Sequence, residues 1–151
     1  MDLQAVLPLL LPKAIAWVEK QARQVASSGR ALTESEQEIA RRVGVTHPDK
    51  IRVALVDALP LPDDPALRAA ALQAGLLGPG MIGLTFGHSI FICRGHETHR
   101  LYSHEFRHVY QYEQAGSIAE FLPGYLQQVV QLGYANTSFE KDARMHELTD
   151  V

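Results

Sequence analysis

The stretch from Leu101 to Gly116, LYSHEFRHVYQYEQAG, constrains the fold of this chain more than any other. It carries His104 and His108, with Glu105 directly after the first histidine. On a helix, positions i and i+4 project one above the other, so both imidazoles can reach a single ion without a loop to aim them. Glu105 lies about 100° around the axis from His104, on the same broad side as His108. From there it reaches a water on that ion without having to bind the ion itself. Tyr102, Phe106, Val109 and Tyr110 gather on the opposite side. Such a helix needs a core behind it and a cleft in front. The segment predicts a helix from about Thr98 to Ala115, stopped by Gly116.

The rest of the chain must build that core. Pro12 suits the first turn of a helix running to Ser28, with Gly29 as its stop. Thr33 and Glu36 are spaced as a capping box for a second helix, which Gly44 ends. In KIRVALVD, Ile51, Val53 and Leu55 alternate with their neighbours and predict a strand. Asp64 and Pro65 open a short helix after a proline-rich loop. GLTFGHSIFIC reads as one strand, with Leu84, Phe86, His88, Ile90 and Ile92 on a common face. Gly83 and Gly87 in it hint at an edge, a bulge or a close backbone approach. From Ile118 to Val130 apolar residues recur at helical spacing, and Pro123 predicts a kink or a restart. A last helix begins near NTSFEKDAR. Helices outnumber strands and no βαβ rhythm is present, so the class is α+β.

With 151 residues the expectation is a single domain over 1–151. Residues 1–80 are expected to form a helical part with one strand. Residues 81–144 are expected to hold a strand, the histidine helix and a glutamate helix. The net charge of −3 and the lack of a basic run exclude nucleic acid as an expected partner. Cys93 is the single cysteine, so no internal disulfide forms; a cytoplasmic setting fits best, with export left open. It reads as a small strand residue rather than as a thiolate ligand. The Leu-rich start lacks a basic n-region, carries Asp2 and is interrupted by Pro8 and Pro12. It is therefore expected to pack on the core rather than act as a signal peptide. No run approaches the ~20 apolar residues of a membrane span.

Zn2+ is the default ion for imidazoles combined with a carboxylate, and catalytic zinc sites use three protein ligands. The pair therefore needs a partner from elsewhere. Glu140, at the start of the last helix, has enough chain before it to return to the histidines. Thr137 and Glu140 are also spaced as a capping box, in which Glu140 would merely accept from a backbone amide. Both readings stand on spacing alone.

SHEFRHVYQYEQAG, FLPGYLQQVVQLGY and SFEKDAR together resemble a bacterial family of minimal zinc metallopeptidase-like domains of the gluzincin type. Its members join HExxH, a following V-x-Q and a nearby Gly to an aromatic-rich helix and a Phe-Glu-x-x-Ala segment. Here that segment is Phe139, Glu140, Lys141, Asp142 and Ala143. GLTFGHSIFICRG resembles the strand that precedes the active helix in that family. The likeness runs from Met81 to Arg144. It implies a zincin-like fold, with a small sheet packed on the HExxH helix and a helical segment carrying the third ligand. It implies zinc held by His104, His108 and Glu140, with Glu105 as general base. Many members carry Asn-Pro where this chain has Thr137-Ser138, which changes the helix cap and not the ligand.

The implied activity is hydrolysis of a peptide or protein substrate lying along an edge strand near Thr85 to Ile92. The alternative is a non-catalytic module that keeps the fold and the metal. Gln111 is expected to orient a neighbouring group, and Asp142 is a candidate second carboxylate. Tyr112 and Tyr134 are candidate donors to an oxyanion, against core packing as the competing reading. His88 is expected to be partly buried and hydrogen-bonded, and His96 and His99 to face solvent. The Leu-rich N-terminus is a further candidate for docking on a partner or membrane surface.

Overall fold

The computed structural model describes residues 1–149. Over these residues it is α+β, with six α-helices and a mixed sheet of four strands. Helix α1 spans Leu3–Ser28, so the expected start at Pro12 is overturned. Asp2 explains the earlier start. Its carboxylate accepts from the amides of Gln4 and Ala5 and caps the first turn. Pro8 and Pro12 lie inside the helix, four apart and both exposed. The carbonyls that lose a donor therefore sit on the side that faces water.

Helix α2 spans Glu34–Arg42 and forms the expected capping box between Thr33 and Glu36. Helix α3 spans Pro65–Gln73 and is capped by Asp64. Helix α4 spans His99–Ala115, between a Thr98 cap and Gly116 at φ +106°. Helix α5 spans Ile118–Leu132 and runs through Pro123 without restarting. Helix α6 spans Ser138–Met145. Among the described residues, no helix is long and apolar enough to cross a membrane.

The strands are β1 (Arg30–Ala31), β2 (Arg52–Val56), β3 (Gly83–Phe86) and β4 (Ser89–Cys93), in the order β1-β2-β4-β3. β2 and β4 run parallel, and the outer strands pair antiparallel to them. Two expectations fail here. Residues before 81 supply two strands rather than one, because Arg30–Ala31 adds a short edge beside β2. The single strand expected over 83–93 is a hairpin, because Gly87 takes φ +68° and opens a two-residue turn. The turn also changes the faces. Leu84 pairs with Phe91 and Thr85 with Ile90. Leu84 and Phe86 therefore point away from Ile90 and Ile92, and His88 sits in the turn. β3 is an edge strand, whereas β4 is paired on both sides.

Each face of the sheet has its own core. Ile51, Val53, Ile90 and Ile92 pack on Tyr102, Phe106 and Val109 of α4 and on Ile39 and Val43 from the α2 side. On the other face Phe86 and Phe91 pack with Val18 and Val25 of α1 and Phe121 and Leu122 of α5. Ser89 Oγ donates to the Ala22 carbonyl at 2.7 Å and ties α1 to that face. Cys93 belongs to this second core, away from the histidines.

Glu113 of α4 joins three segments. Its carboxylate accepts from the amides of Thr46 (2.7 Å) and His47 (3.0 Å) and from His88 Nε2 (2.9 Å). Burial raises its pKa, but the amides and His88 outweigh burial and hold it below the ordinary carboxylate value. A depressed folded pKa gives stability that is present above the unfolded value and lost as pH falls through the folded one. Glu113→Ala is expected to lose about 1–3 kcal/mol at neutral pH in urea denaturation. The gap to wild type should narrow as the pH falls below about 4.3, the ordinary glutamate value.

Candidate metal centre

Helix α4 turns its apolar side to the sheet and its His104–His108 side toward α6. The two imidazole rings lie 5.0 Å apart between centroids. Thr137 caps α6 by accepting from the Glu140 amide at 3.0 Å. The reciprocal half of a capping box is not made, since the Thr137 amide turns to the Tyr134 carbonyl. The Glu140 carboxylate is thus free of the helix end. It lies 3.2 Å from His104 Nε2 and 2.9 Å from His108 Nε2. Ligand atoms of His104, His108 and Glu140 all fall within 4.8 Å of one another. These three residues form a grouping compatible with a metal ion.

The outer ring nitrogens decide what that grouping can hold. Gln111 donates its amide protons to the Phe139 carbonyl (2.9 Å) and to Asp142 Oδ2 (2.9 Å). Its carbonyl oxygen therefore faces His108 Nδ1, at 2.7 Å. A flipped amide would set an acceptor against two acceptors. His108 Nδ1 must then carry the proton, which leaves a lone pair on Nε2. Glu147 plays the same part for His104, accepting from Nδ1 at 2.8 Å. Two lone pairs and a carboxylate consequently converge, and only a cation or added protons can reconcile them. Without a metal the protons are supplied by the imidazoles. Burial works against charge on both rings. Glu140 and Glu105 outweigh it, raising His104 and pushing His108 up to about 9. Glu140 is buried too, yet the two imidazoles hold it well below the carboxylate range. The donor set of two nitrogens and one oxygen fits zinc.

Supporting groups fix these side chains. Asp142 accepts from Arg107 Nε at 2.7 Å as well as from Gln111, so it orients Gln111 and does not face the ligand cluster directly. Glu147 is held by Arg100 Nε at 2.7 Å, while the Leu148 amide donates to Ser103 Oγ at 2.8 Å. Glu105 is buried, and its Oε1 accepts from Thr85 Oγ1 at 2.7 Å. A Cβ on Gly83 would stand 2.9 Å from Glu105 Oε2, so the close approach hinted at by that glycine is real. Burial raises the pKa of Glu105 against the pull of the two histidines.

Tyr112 packs 4.1 Å from the Phe121 ring, and burial, then Glu105, push its phenol up. Tyr134 sits in a 3-10 turn, half-buried, and is raised by burial and by Glu140. Tyr125 also touches the cluster, its hydroxyl donating to Glu140 Oε2 at 3.4 Å. Sequence reasoning missed Tyr125, Thr85 and Glu147 as members of the site. Tyr125 carried only the periodicity of an apolar helix face. Thr85 carried only that of a strand. Glu147 lies in a tail whose path nothing local announces. His88 is partly buried and hydrogen-bonded, and His96 and His99 are exposed.

No protein-family model, curated protein or solved structure matches this chain.

The geometry predicts a graded response to substitution. His104→Ala and Glu140→Ala should abolish zinc binding in equilibrium dialysis, whereas wild type takes up about one ion per chain. Gln111→Leu should keep binding but weaken it roughly 10–100-fold, since Nδ1 of His108 loses its acceptor.

Proposed function

We propose that this chain is a zinc-dependent hydrolase that cleaves an amide bond of a peptide-like substrate. His104, His108 and Glu140 hold the ion, and Glu105 is the general base. The proposal extends to a zincin-like arrangement, in which β3 is the edge strand beside the active helix. One observation carries it: two imidazoles with both Nδ1 protons committed, facing a carboxylate that is itself released from capping its helix. The resemblance of the segment from Met81 to Arg144 to gluzincin-type domains supports the same reading.

Zinc in such a set supplies a Lewis acid and a more acidic water. The chain's own residues do the rest. Glu105 stands one position beyond His104, buried, and anchored through one oxygen by Thr85. Its raised affinity for a proton suits a group that takes one from water and passes it to the leaving nitrogen. Gly83 leaves room for its other oxygen. Tyr125 and Tyr134 border the same cleft and are the nearest phenols to Glu140, which favours them over Tyr112 as oxyanion donors.

The expected outcome for Glu105→Gln is full zinc content with turnover lowered about 10²–10⁴-fold on a peptide library read by mass spectrometry. Gly83→Ala should also keep zinc, and should lower kcat rather than raise KM, because it displaces the base. A zinc-loaded wild type that cleaves nothing in the library would instead support a metal-binding interaction module.

A further inference from the structure

Two residues of the metal grouping, His108 and Glu140, line a half-open cavity together with Glu105. The remaining walls come from α1, α3, β3 and α5. Leu3, Leu7 and Leu10 line it from α1, Ala71 from α3, Ala74 from the cap that follows α3, and Leu126 from α5. The stretch of α1 from Leu3 to Trp17 that borders it is about 21 Å long at the helical rise. Nearly all of the lining is apolar, and its polar side chains cluster at the histidine end.

This distribution selects a ligand. A peptide backbone threaded through such walls would bring an N–H and a C=O per residue with no partner to meet them. A hydrocarbon chain brings none and gains from every methylene it buries. We propose that the cavity takes a long acyl chain, whose carbonyl lies at the His104–His108–Glu140 end. The substrate class is then a long-chain N-acyl amine or N-acyl peptide. This deepens the amide-hydrolase reading and rests on it. In the reaction, hydroxide from water joins the acyl carbon, the C–N bond breaks, and the proton goes to the departing nitrogen. The products are a fatty acid and an amine, with no redox partner required.

Trp17 makes the proposal measurable. It is the only tryptophan in the chain, it borders the cavity, and it packs edge-on against Phe86 at 5.7 Å. Dibromostearate, whose bromines quench indole on contact, is titrated against the full-length protein with and without zinc. Saturable quenching is expected in both samples. Bromobutyrate should bind far more weakly, since each buried methylene contributes roughly fourfold in affinity. Ala71→Phe and Ala74→Phe, which fill the cavity from α3 and its C-cap, should each weaken stearate binding at least about tenfold with unchanged circular dichroism. Two substitutions guard against one that fails to fold.

Absence of saturable quenching, equal affinity for the short probe, or unaffected binding in both folded variants overturns the acyl-chain assignment. So does displacement of the probe by an unacylated Leu-rich peptide as readily as by oleate. Zinc content measured on the same samples separates the two readings. Bound zinc without quenching removes the acyl chain and leaves the hydrolase. Quenching without bound zinc removes the hydrolase and leaves the chain-binding cavity.

Discussion

His108 gives its Nδ1 proton to Gln111, and His104 gives its own to Glu147. The arrangement around the centre follows from those two hydrogen bonds. They fix the tautomers, and the tautomers turn both inner nitrogens into acceptors beside an anionic carboxylate. Holding the acceptors in place requires long-range docking. Helix α6 must lie against α4, which the Arg107–Asp142 pair and the Gln111 contact with Phe139 achieve. The tail must return across the start of α4, which Ser103, Arg100 and Leu148 achieve. Buried ionisable groups brought this close destabilise a fold unless something neutralises them. A divalent cation neutralises them most completely, and its binding free energy then adds to folding.

Glu105 is treated differently from Glu140, although both are buried carboxylates within one cluster. Glu140 receives two imidazoles and is driven far toward its anion. Glu105 receives one hydroxyl, faces the backbone of β3, and is driven toward its protonated form. Environments that push neighbouring carboxylates apart in this way are what separate a ligand from a proton carrier. The sheet achieves this separation. Thr85 and Gly83 sit on the same face of the hairpin as Ile90 and Ile92, so the strands that bury the back of α4 also hold Glu105.

What was legible in the sequence was local. The Thr33–Glu36 box, the Asp64–Pro65 start and the Thr98-to-Gly116 helix each rest on partners within a turn or at a helix end, and each is as expected. The errors arose where one residue reverses a pattern. Gly87 folds a period-two run back on itself, and alternation cannot register that a turn has moved half the residues to the other face. Asp2 starts a helix that the prolines seemed to forbid, because their exposed side tolerates the missing amides. Within the site, the grouping was readable because His104 and His108 share a helix and Glu140 opens a later helix that packs on it. Their orienting partners were partly readable. Gln111, one turn beyond His108, was within reach of such reasoning, while Glu147 depends on the path of the tail.

Much of the cavity wall comes from α1. Its second half packs on the sheet through Val18 and Val25, and its first half continues past the sheet to roof the cavity. Lys13 fastens it to Asp64 at 2.9 Å, and Gln73 of α3 holds the Met1 carbonyl at 2.7 Å. Pro8 and Pro12 lie between these two anchors and remove backbone hydrogen bonds along the exposed side of the roof. A helix weakened on its outer side bends more readily than a regular one. The same Leu-rich segment thus provides the apolar wall of the cavity.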